Sequence, residues 1–475
     1  MTKSTSMGET PKKIQTDPSK NFFVHMLTRD IELSDAILDL LDNCIDGVVR
    51  KTKDDAEVEK PFEGFHAYIN LDDNSFGIED NCGGIEFDIA LNYAFKFGRD
   101  QNDPRDKDAK TIGMYGIGMK RAFFKIGMSA VVKTFNDRPL EVEIPDGWES
   151  EPDWELPYVP MISDIAQGCT DITISKLRQG VREKFSSPNF IEDLHVSIAN
   201  HYSRFIEKGF EIKVNGTVVP PKPMRLFYDS HGQIKPYIYF EHRENIDISV
   251  VFGFNAPPNG LEGDDFGKDI DEDRSQDEAG WTILCNDRAV VFNDKTVLTG
   301  WGDGAAKYHP QFVVLSGVVE FNSTDATELP ITTTKRGVDT SSFTYIRIKK
   351  LMVNAMKEFM RYTTRWKNDP RDAQKPFFES ASKLRIPEIL IKSNEFEHDV
   401  WTKKAGDNTG GLEFIPELPK REGSKPDTRR ISFVKRIPDI RKVSAFLDNG
   451  NEDLEPKEVG EKAFDKILEY SREDV

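Results

Sequence analysis

The stretch LSDAILDLLDNCIDGVVR, residues 33–50, sets acids inside an apolar repeat. Ile37, Leu38, Leu41, Ile45 and Val48 recur at steps of three and four, which predicts a helix; Ser34 or Asp35 can cap its start and Gly47 comes near its end. Asp39, Asn43 and Asp46 then stand at i, i+4 and i+7, on one stripe about two turns, or roughly 10 Å, long. Alone, such a stripe is the wet face of an amphipathic helix. Whether it serves a ligand depends on the rest of the chain.

In FHAYINLDDNSFGIEDNCGGI, residues 65–85, a strand leads to Asp80-Asn81-Cys82-Gly83-Gly84, an acid followed closely by a glycine pair where the backbone must turn tightly. A carboxylate there faces whatever approaches the bare backbone, although the same residues also read as an Asn- and Gly-rich β-turn. In KTIGMYGIGMKRAFFKIG, residues 110–127, Gly113, Gly116 and Gly118 precede a helix expected to begin near Met119. Glycines ahead of a helix N-terminus leave N–H groups open to an anion, and the helix dipole adds to them, so phosphate is the natural ligand. The two common phosphate motifs are excluded on spacing. A P-loop needs Lys directly after its last Gly and then Ser or Thr, whereas Gly118 is followed by Met119, Lys120 and Arg121. A dinucleotide fingerprint reads G-x-G-x-x-G, while the order here is G-x-x-G-x-G.

Taken in order, these motifs resemble those of the GHKL ATPases, the superfamily of type II topoisomerases, heat-shock chaperones, histidine kinases and mismatch-repair proteins. The series is Asp39/Asn43/Asp46, then Asp80/Gly84, then Gly113/Gly116/Gly118, then Thr170 in GCTDITI, residues 168–174. The resemblance implies an α+β protein, with a Bergerat-type α/β sandwich ATPase domain followed by a transducer-like (S5-type) α+β domain and a small C-terminal element. It implies ATP and Mg2+ as ligands. Asn43 would hold Mg2+, a hard ion that keeps several waters and is shared with the phosphates. Asp80 would accept a hydrogen bond from the adenine amino group, where guanine carries an oxygen, and Thr170 would support that edge. Asp46, Gly84, Gly113, Gly116, Gly118 and Lys120 complete the nucleotide-binding set. Residues 98–118, polar and Gly-rich, would form a lid over the phosphates. Asp39 stands where the family usually has Glu, the residue that polarises the attacking water. It is one methylene shorter, and a displacement of about 1 Å costs on the order of a hundredfold in rate, so slow hydrolysis is expected. Cys82 replaces the first glycine of its motif, which is tolerable while that residue keeps φ below zero.

The second half completes the layout. A helix and a hairpin turning at Asn215-Gly216 close the ATP-binding domain near residue 225. Strands such as GWTILCNDRAVVF, residues 280–292, and FVVLSGVVEF, residues 312–321, lead to the helix SFTYIRIKKLMVNAMKEFMRYTTRW, residues 342–366. Strands followed by a late helix fit the transducer-like domain of mismatch-repair, topoisomerase and MORC-type members. In those families a lysine from this domain reaches the γ-phosphate, and Lys335 in ELPITTTKRG, residues 328–337, matches it. The expected organisation is a strap at 1–20, the ATP-binding domain at 21–225, the transducer-like domain at 226–370, a linker at 371–430 and a helical element at 431–475.

Composition bounds the partners. With 37% hydrophobic residues in 475, the chain can build two or three cores. Its net charge of −18, from 64 bases against 82 acids, disfavours nonspecific polyanion binding unless bases cluster locally. One cluster does occur: Lys420, Arg421, Lys425, Arg429, Arg430, Lys435 and Arg436. The acidic segment 261–280 fails as a calcium loop, since a register from Asp269 puts Arg274 where Gly is required and Gly280 where Glu is required. The four cysteines are widely spaced, with neither zinc nor disulfide-framework spacing, and no apolar run is long enough for a membrane span. These features predict a cytoplasmic protein, closest to MORC-like and heat-shock-chaperone-like members, in which ATP closes the lid and drives homodimerisation to act on a partner protein or DNA. The alternatives are a non-catalytic nucleotide-gated scaffold and a DNA clamp.

Overall fold

The computed structural model describes residues 19–54, 58–100, 102–160, 164–258, 278–367, 374–396, 401–403, 411–420 and 434–473. Residues 1–18 of the expected strap, 261–277 of the acidic segment and Arg421, Lys425, Arg429 and Arg430 of the basic cluster lie outside them. The chain divides into two compact units, Met1–Pro419 and Lys420–Val475. Among the described residues, no helix is long and apolar enough to cross a membrane.

The first unit opens with helices α1 (Lys20–Arg29) and α2 (Leu33–Lys51). Helix α2 differs from expectation at its start. Its N-cap is Glu32, with Ser34 and Asp35 already inside the helix, and it runs through Gly47 to Lys51. Gly47, near its end as expected, also makes a close contact: a Cβ at that position would lie 3.0 Å from the Cys82 side chain and from its carbonyl oxygen.

The first sheet is built from β1 (His66–Leu71), β2 (Phe76–Asp80), β3 (Gly127–Phe135), β4 (Pro139–Ile144), β5 (Tyr158–Pro160), β6 (Thr170–Leu177), β7 (Glu211–Val214) and β8 (Thr217–Val218). Its order is β5-β4-β3-β6-β2-β1-β7-β8; β1 and β7 pair in parallel, and the remaining neighbours are antiparallel. Helices α3 (Phe87–Ile89), α4 (Gly118–Ile126), α5 (Gln179–Phe185) and α6 (Pro188–Glu207) interleave with these strands. Ile37, Leu41, Ile45 and Val48 of α2 share one buried core with Ala67 and Ile69 of β1 and with Leu194, Ile198 and Tyr202 of α6. The apolar half of the α2 repeat therefore packs as its spacing predicts.

The second sheet holds β10 (Tyr237–Arg243), β11 (Ile246–Phe254), β12 (Gly280–Cys285), β13 (Arg288–Asp294), β14 (Leu315–Ser323), β16 (Thr402–Lys403) and β17 (Leu412–Phe414), in the order β13-β12-β14-β11-β10-β17-β16. A separate ribbon pairs β9 (Arg225–Tyr228) with β15 (Ser382–Arg385). Strand β11 is buried along almost its whole length, so both faces of the sheet need cover. Helix α7 (Phe343–Arg365) covers one face, its Phe359 ring 5.5 Å from Phe252 and 5.0 Å from Phe254. The other face belongs to a second core that joins Val251 and Val318 to Leu226, Ile386, Ile389 and Phe414. Much of the stretch expected as a linker thus supplies structure, as α8 (Lys375–Glu379), β15, α9 (Ile386–Ser393), β16 and β17. Its apolar residues complete a sheet that would otherwise expose one side.

The hairpin between β12 and β13 turns at Asn286-Asp287, both with positive φ (47° and 65°), as a two-residue hairpin turn requires. It carries Arg288 toward α2. The second unit contains α10 (Ile437–Leu447) and α11 (Pro456–Glu473), whose connection is tied by Ser444 Oγ to the Asn451 carbonyl at 2.7 Å. The observed class is α+β, as the sequence predicts.

Candidate functional site

Eleven residues singled out in the sequence line one cavity of about 130 Å³: Asp39, Asn43, Asp46, Asp80, Gly84, Gly113, Gly116, Gly118, Lys120, Thr170 and Lys335. Helix α2 forms one wall. Along its stripe the three polar residues differ. Asn43 is exposed and, among the described residues, its side chain makes no hydrogen bond, whereas Asp39 and Asp46 are 2% and 4% exposed. The carboxylates are therefore buried and partnered rather than wet.

At the end of β2, Asp80 stands opposite Thr170 of β6 in the antiparallel register. Asp80 Oδ1 accepts the Cys82 N–H at 2.8 Å, and the Thr170 hydroxyl lies 3.1 Å from that of Thr134. Burial pushes the Asp80 carboxyl up to about 6 despite that bond. Burial likewise raises the Cys44 and Cys82 thiols well above their usual range, so both are neutral neighbours of the carboxylate. Cys82 keeps a negative φ while Gly83 and Gly84 take positive ones, which is how a side chain is accommodated in a glycine motif.

Asp46 faces the glycine segment. Its two oxygens accept the N–H groups of Ile112 at 2.8 Å and Gly113 at 2.9 Å. A Cβ on Gly113 would stand 2.5 Å from Asp46 Oδ2, so a larger residue would have to displace this carboxylate or the glycine segment. Burial, then the charge of Asp106, pushes Asp46 up to about 6. The segment is also held from outside. Arg99 donates to the Gly113 carbonyl at 2.6 Å and pairs with Asp106 at 2.6 Å; Arg50 of α2 pairs with Asp106 at 2.7 Å. Asn286, from the second sheet, donates to the Thr111 carbonyl at 2.8 Å. Beyond the glycines α4 begins at Gly118 with no side-chain cap, leaving its first N–H groups open at the cavity. In its first turn Lys120 is buried, its ammonium donating to the Ala94 carbonyl at 2.9 Å. Burial and the Arg105 guanidinium pull it down to about 7.

A chain of buried charges closes the inner end. Arg121 donates through Nε to Asp39 Oδ2 at 2.9 Å, and a second guanidinium nitrogen contacts the same oxygen. Lys335 Nζ lies 3.5 Å from Asp39 Oδ1 and 2.8 Å from Asp42 Oδ2. Asp42, fully buried, also accepts from Arg288 Nε at 2.7 Å and the Tyr202 hydroxyl at 2.6 Å. Burial opposes its charge, but Arg288 and Lys335 prevail and hold the carboxyl well below the usual range. One further contact is the pair Arg336–Asp35.

A cavity of about 130 Å³ is smaller than the roughly 300–1,000 Å³ of ordinary ligand pockets. A larger cleft, about 750 Å³, adjoins it and shares Gly47, Arg50, Cys82, Gly84, Ile85, Arg105 and Asp106. Arg105 and Asp106 belong to the stretch expected as a lid, so displacing that stretch would enlarge the smaller space.

Residues 31–143 match the model of the histidine kinase-, DNA gyrase B- and HSP90-like ATPase family. This match supports the GHKL superfamily. No curated protein matches the chain. The match implies ATP binding, and the matched span carries α2, the Asp80 turn and the glycine segment that surround the cavity. The GHKL motifs do not mark Asp42, Arg99, Arg121, Asn286 or Arg288. In the sequence Arg121 and Asp42 are visible only as neighbours of motif residues, while Arg288 and Asn286 belong to a stretch expected as a strand, which folds instead as a hairpin.

Proposed function

We propose that the chain binds Mg·ATP in this cavity and uses it as a slow, ATP-driven conformational switch. The observation that carries the reading is the convergence of residues from 39 to 335 on one cavity. Adenine would lie at Asp80 and Thr170, with Gly84 allowing close approach, and the phosphates would lie at the open N-terminus of α4, near Gly113, Gly116, Gly118 and Lys120. Asn43, exposed to the cavity and free of protein partners among the described residues, suits a Mg2+ ligand. The ion would neutralise phosphate charge. Asp46 would act indirectly, by fixing the glycine segment. Asp39 would polarise the attacking water and Lys335 would contact the γ-phosphate.

The expected test is phosphate release from Mg·ATP by the wild type beside Asp39→Ala and Asp80→Asn. Slow wild-type turnover, abolished in both variants, supports the reading. ATP-dependent dimerisation belongs to the same proposal and predicts a doubled mass by light scattering with a nonhydrolysable ATP analogue; an unchanged mass contradicts it. A MORC-like action on a partner protein or DNA extends it. A second reading, a nucleotide-gated scaffold without turnover, is favoured by the engagement of both Asp39 oxygens with Arg121 and Lys335. That reading predicts Asp80-dependent ATP binding with no phosphate released.

A further inference from the structure

We infer that Asp42 is the resting seat of the Lys335 ammonium, and that ATP and Asp42 compete for it. The inference rests on the nucleotide-site reading above. Asp42 does not line the cavity, yet it lies one residue before Asn43 and takes the shortest ionic contact of a lysine that does line it, 2.8 Å against 3.5 Å to Asp39.

The two Asp42 oxygens divide their partners. Oδ1 accepts Arg288 Nε and the Tyr202 hydroxyl, while Oδ2 takes Lys335. If the ammonium departs, Asp42 remains paired with Arg288, so no buried charge is orphaned. The lysine backbone is fixed separately. Arg288 Nη1 donates to the Lys335 carbonyl at 2.8 Å, and the Lys335 N–H donates to the Thr332 carbonyl at 2.9 Å. Movement of the ammonium from Asp42 to a phosphate is therefore a side-chain event about a held backbone. Arg288 serves both tasks, compensating Asp42 and anchoring Lys335, which makes this one arginine the pivot of the exchange.

The consequence is selectivity between nucleotides. A ligand that offers an oxyanion within reach of Lys335 must outbid Asp42, and one that does not leaves the lysine seated. Asp42 is thus a positioning residue that subtracts from ATP affinity without touching ATP. It also ties the turn carrying Lys335 to α2 while the lysine is seated, so that nucleotide arrival and release of this tie are one event.

The test is competitive binding of ATP and ADP, each with Mg2+, to the full chain. Asp42→Asn keeps acceptors for Arg288 and Tyr202 but turns an amide toward the ammonium. ATP affinity is expected to rise about tenfold, with ADP affinity unchanged, and the gain should vanish in a Lys335→Gln background. Equal gains for ATP and ADP, or a gain that survives Lys335→Gln, overturn the inference. If the single variant does not fold, as judged by circular dichroism, Asp42→Ser, which leaves Arg288 and its hold on the Lys335 carbonyl in place, carries the same expectation. ATP binding that ignores Asp80→Asn contradicts the nucleotide-site reading itself. Binding that requires Asp80 but keeps its ATP-to-ADP ratio when Asp42 is changed contradicts only the seat.

Discussion

Asp80 and Thr170 are direct cross-strand partners, so a carboxylate from one glycine-bearing motif and a hydroxyl from a strand ninety residues later share one end of the cavity. A carboxylate acceptor for the adenine amino group contributes about 2 kcal/mol, or roughly thirtyfold in affinity. Asp80→Asn, which places a donor at that edge, should weaken ATP by at least that factor, while Thr170→Val should cost less. Nucleotide titration checks both.

Two titrating groups set a pH window. On the proposed site Asp80, raised to about 6, would accept from adenine more strongly as a carboxylate than as a neutral acid, so affinity should fall as pH drops through that value. In the same reading Lys120, lowered to about 7, would attract phosphate in its charged form, so affinity should also fall as pH rises above that value, with a proton taken up on binding. Affinity is thus expected to peak between the two and to lose up to tenfold per pH unit outside. Lys120→Met should remove the alkaline limb alone.

Asp106 joins Arg50 of α2 to Arg99, and Arg99 holds the Gly113 carbonyl. These groups are partly exposed, so Asp106→Ala should cost no more than about 1 kcal/mol of stability. Its larger effect should be on opening. Hydrogen exchange around residues 105–113 and nucleotide association should both quicken several-fold, and unchanged exchange would show that the ion pairs do not hold this stretch.

Gly113→Ala puts a methyl 2.5 Å from Asp46 Oδ2. Overpacking of this kind costs about 1–3 kcal/mol, and the glycine segment must shift to relieve it. ATP affinity should fall by more than tenfold, with partial recovery in Gly113→Ala/Asp46→Ser.

Arg288→Ala removes the partner that compensates Asp42 and fixes Lys335. Breaking a buried pair from one side costs about 3–5 kcal/mol, so a clear drop in the denaturation midpoint is expected by thermal or urea unfolding. Replacing Arg288 and Asp42 together by Gln and Asn should recover part of it.

The contrast between Asn43 and Asp42 explains what the sequence could convey. Asn43 falls on a helical stripe with Asp39 and Asp46, and spacing alone puts the three on one side. Asp42 sits off that stripe, and its partners Arg288 and Lys335 lie 246 and 293 residues away, a pairing that no local period encodes. Gly47 is similar: its place near the helix end is legible, but its close approach to Cys82 is not. Residues 382–414 read as linker because they are short apolar pieces between charged ones, and their purpose emerges only from the uncovered face of β11. The order of the glycine motifs survived translation into structure because each is a local backbone requirement.

The most direct measurement is calorimetric titration of Mg·ATP into the wild-type chain beside Asp80→Asn, with Mg·GTP as the control. Saturable ATP binding at one site per chain, lost in Asp80→Asn and absent with GTP, is the predicted result. No ATP binding by the folded wild type, or binding indifferent to Asp80, would contradict the assignment of this cavity to an adenine nucleotide.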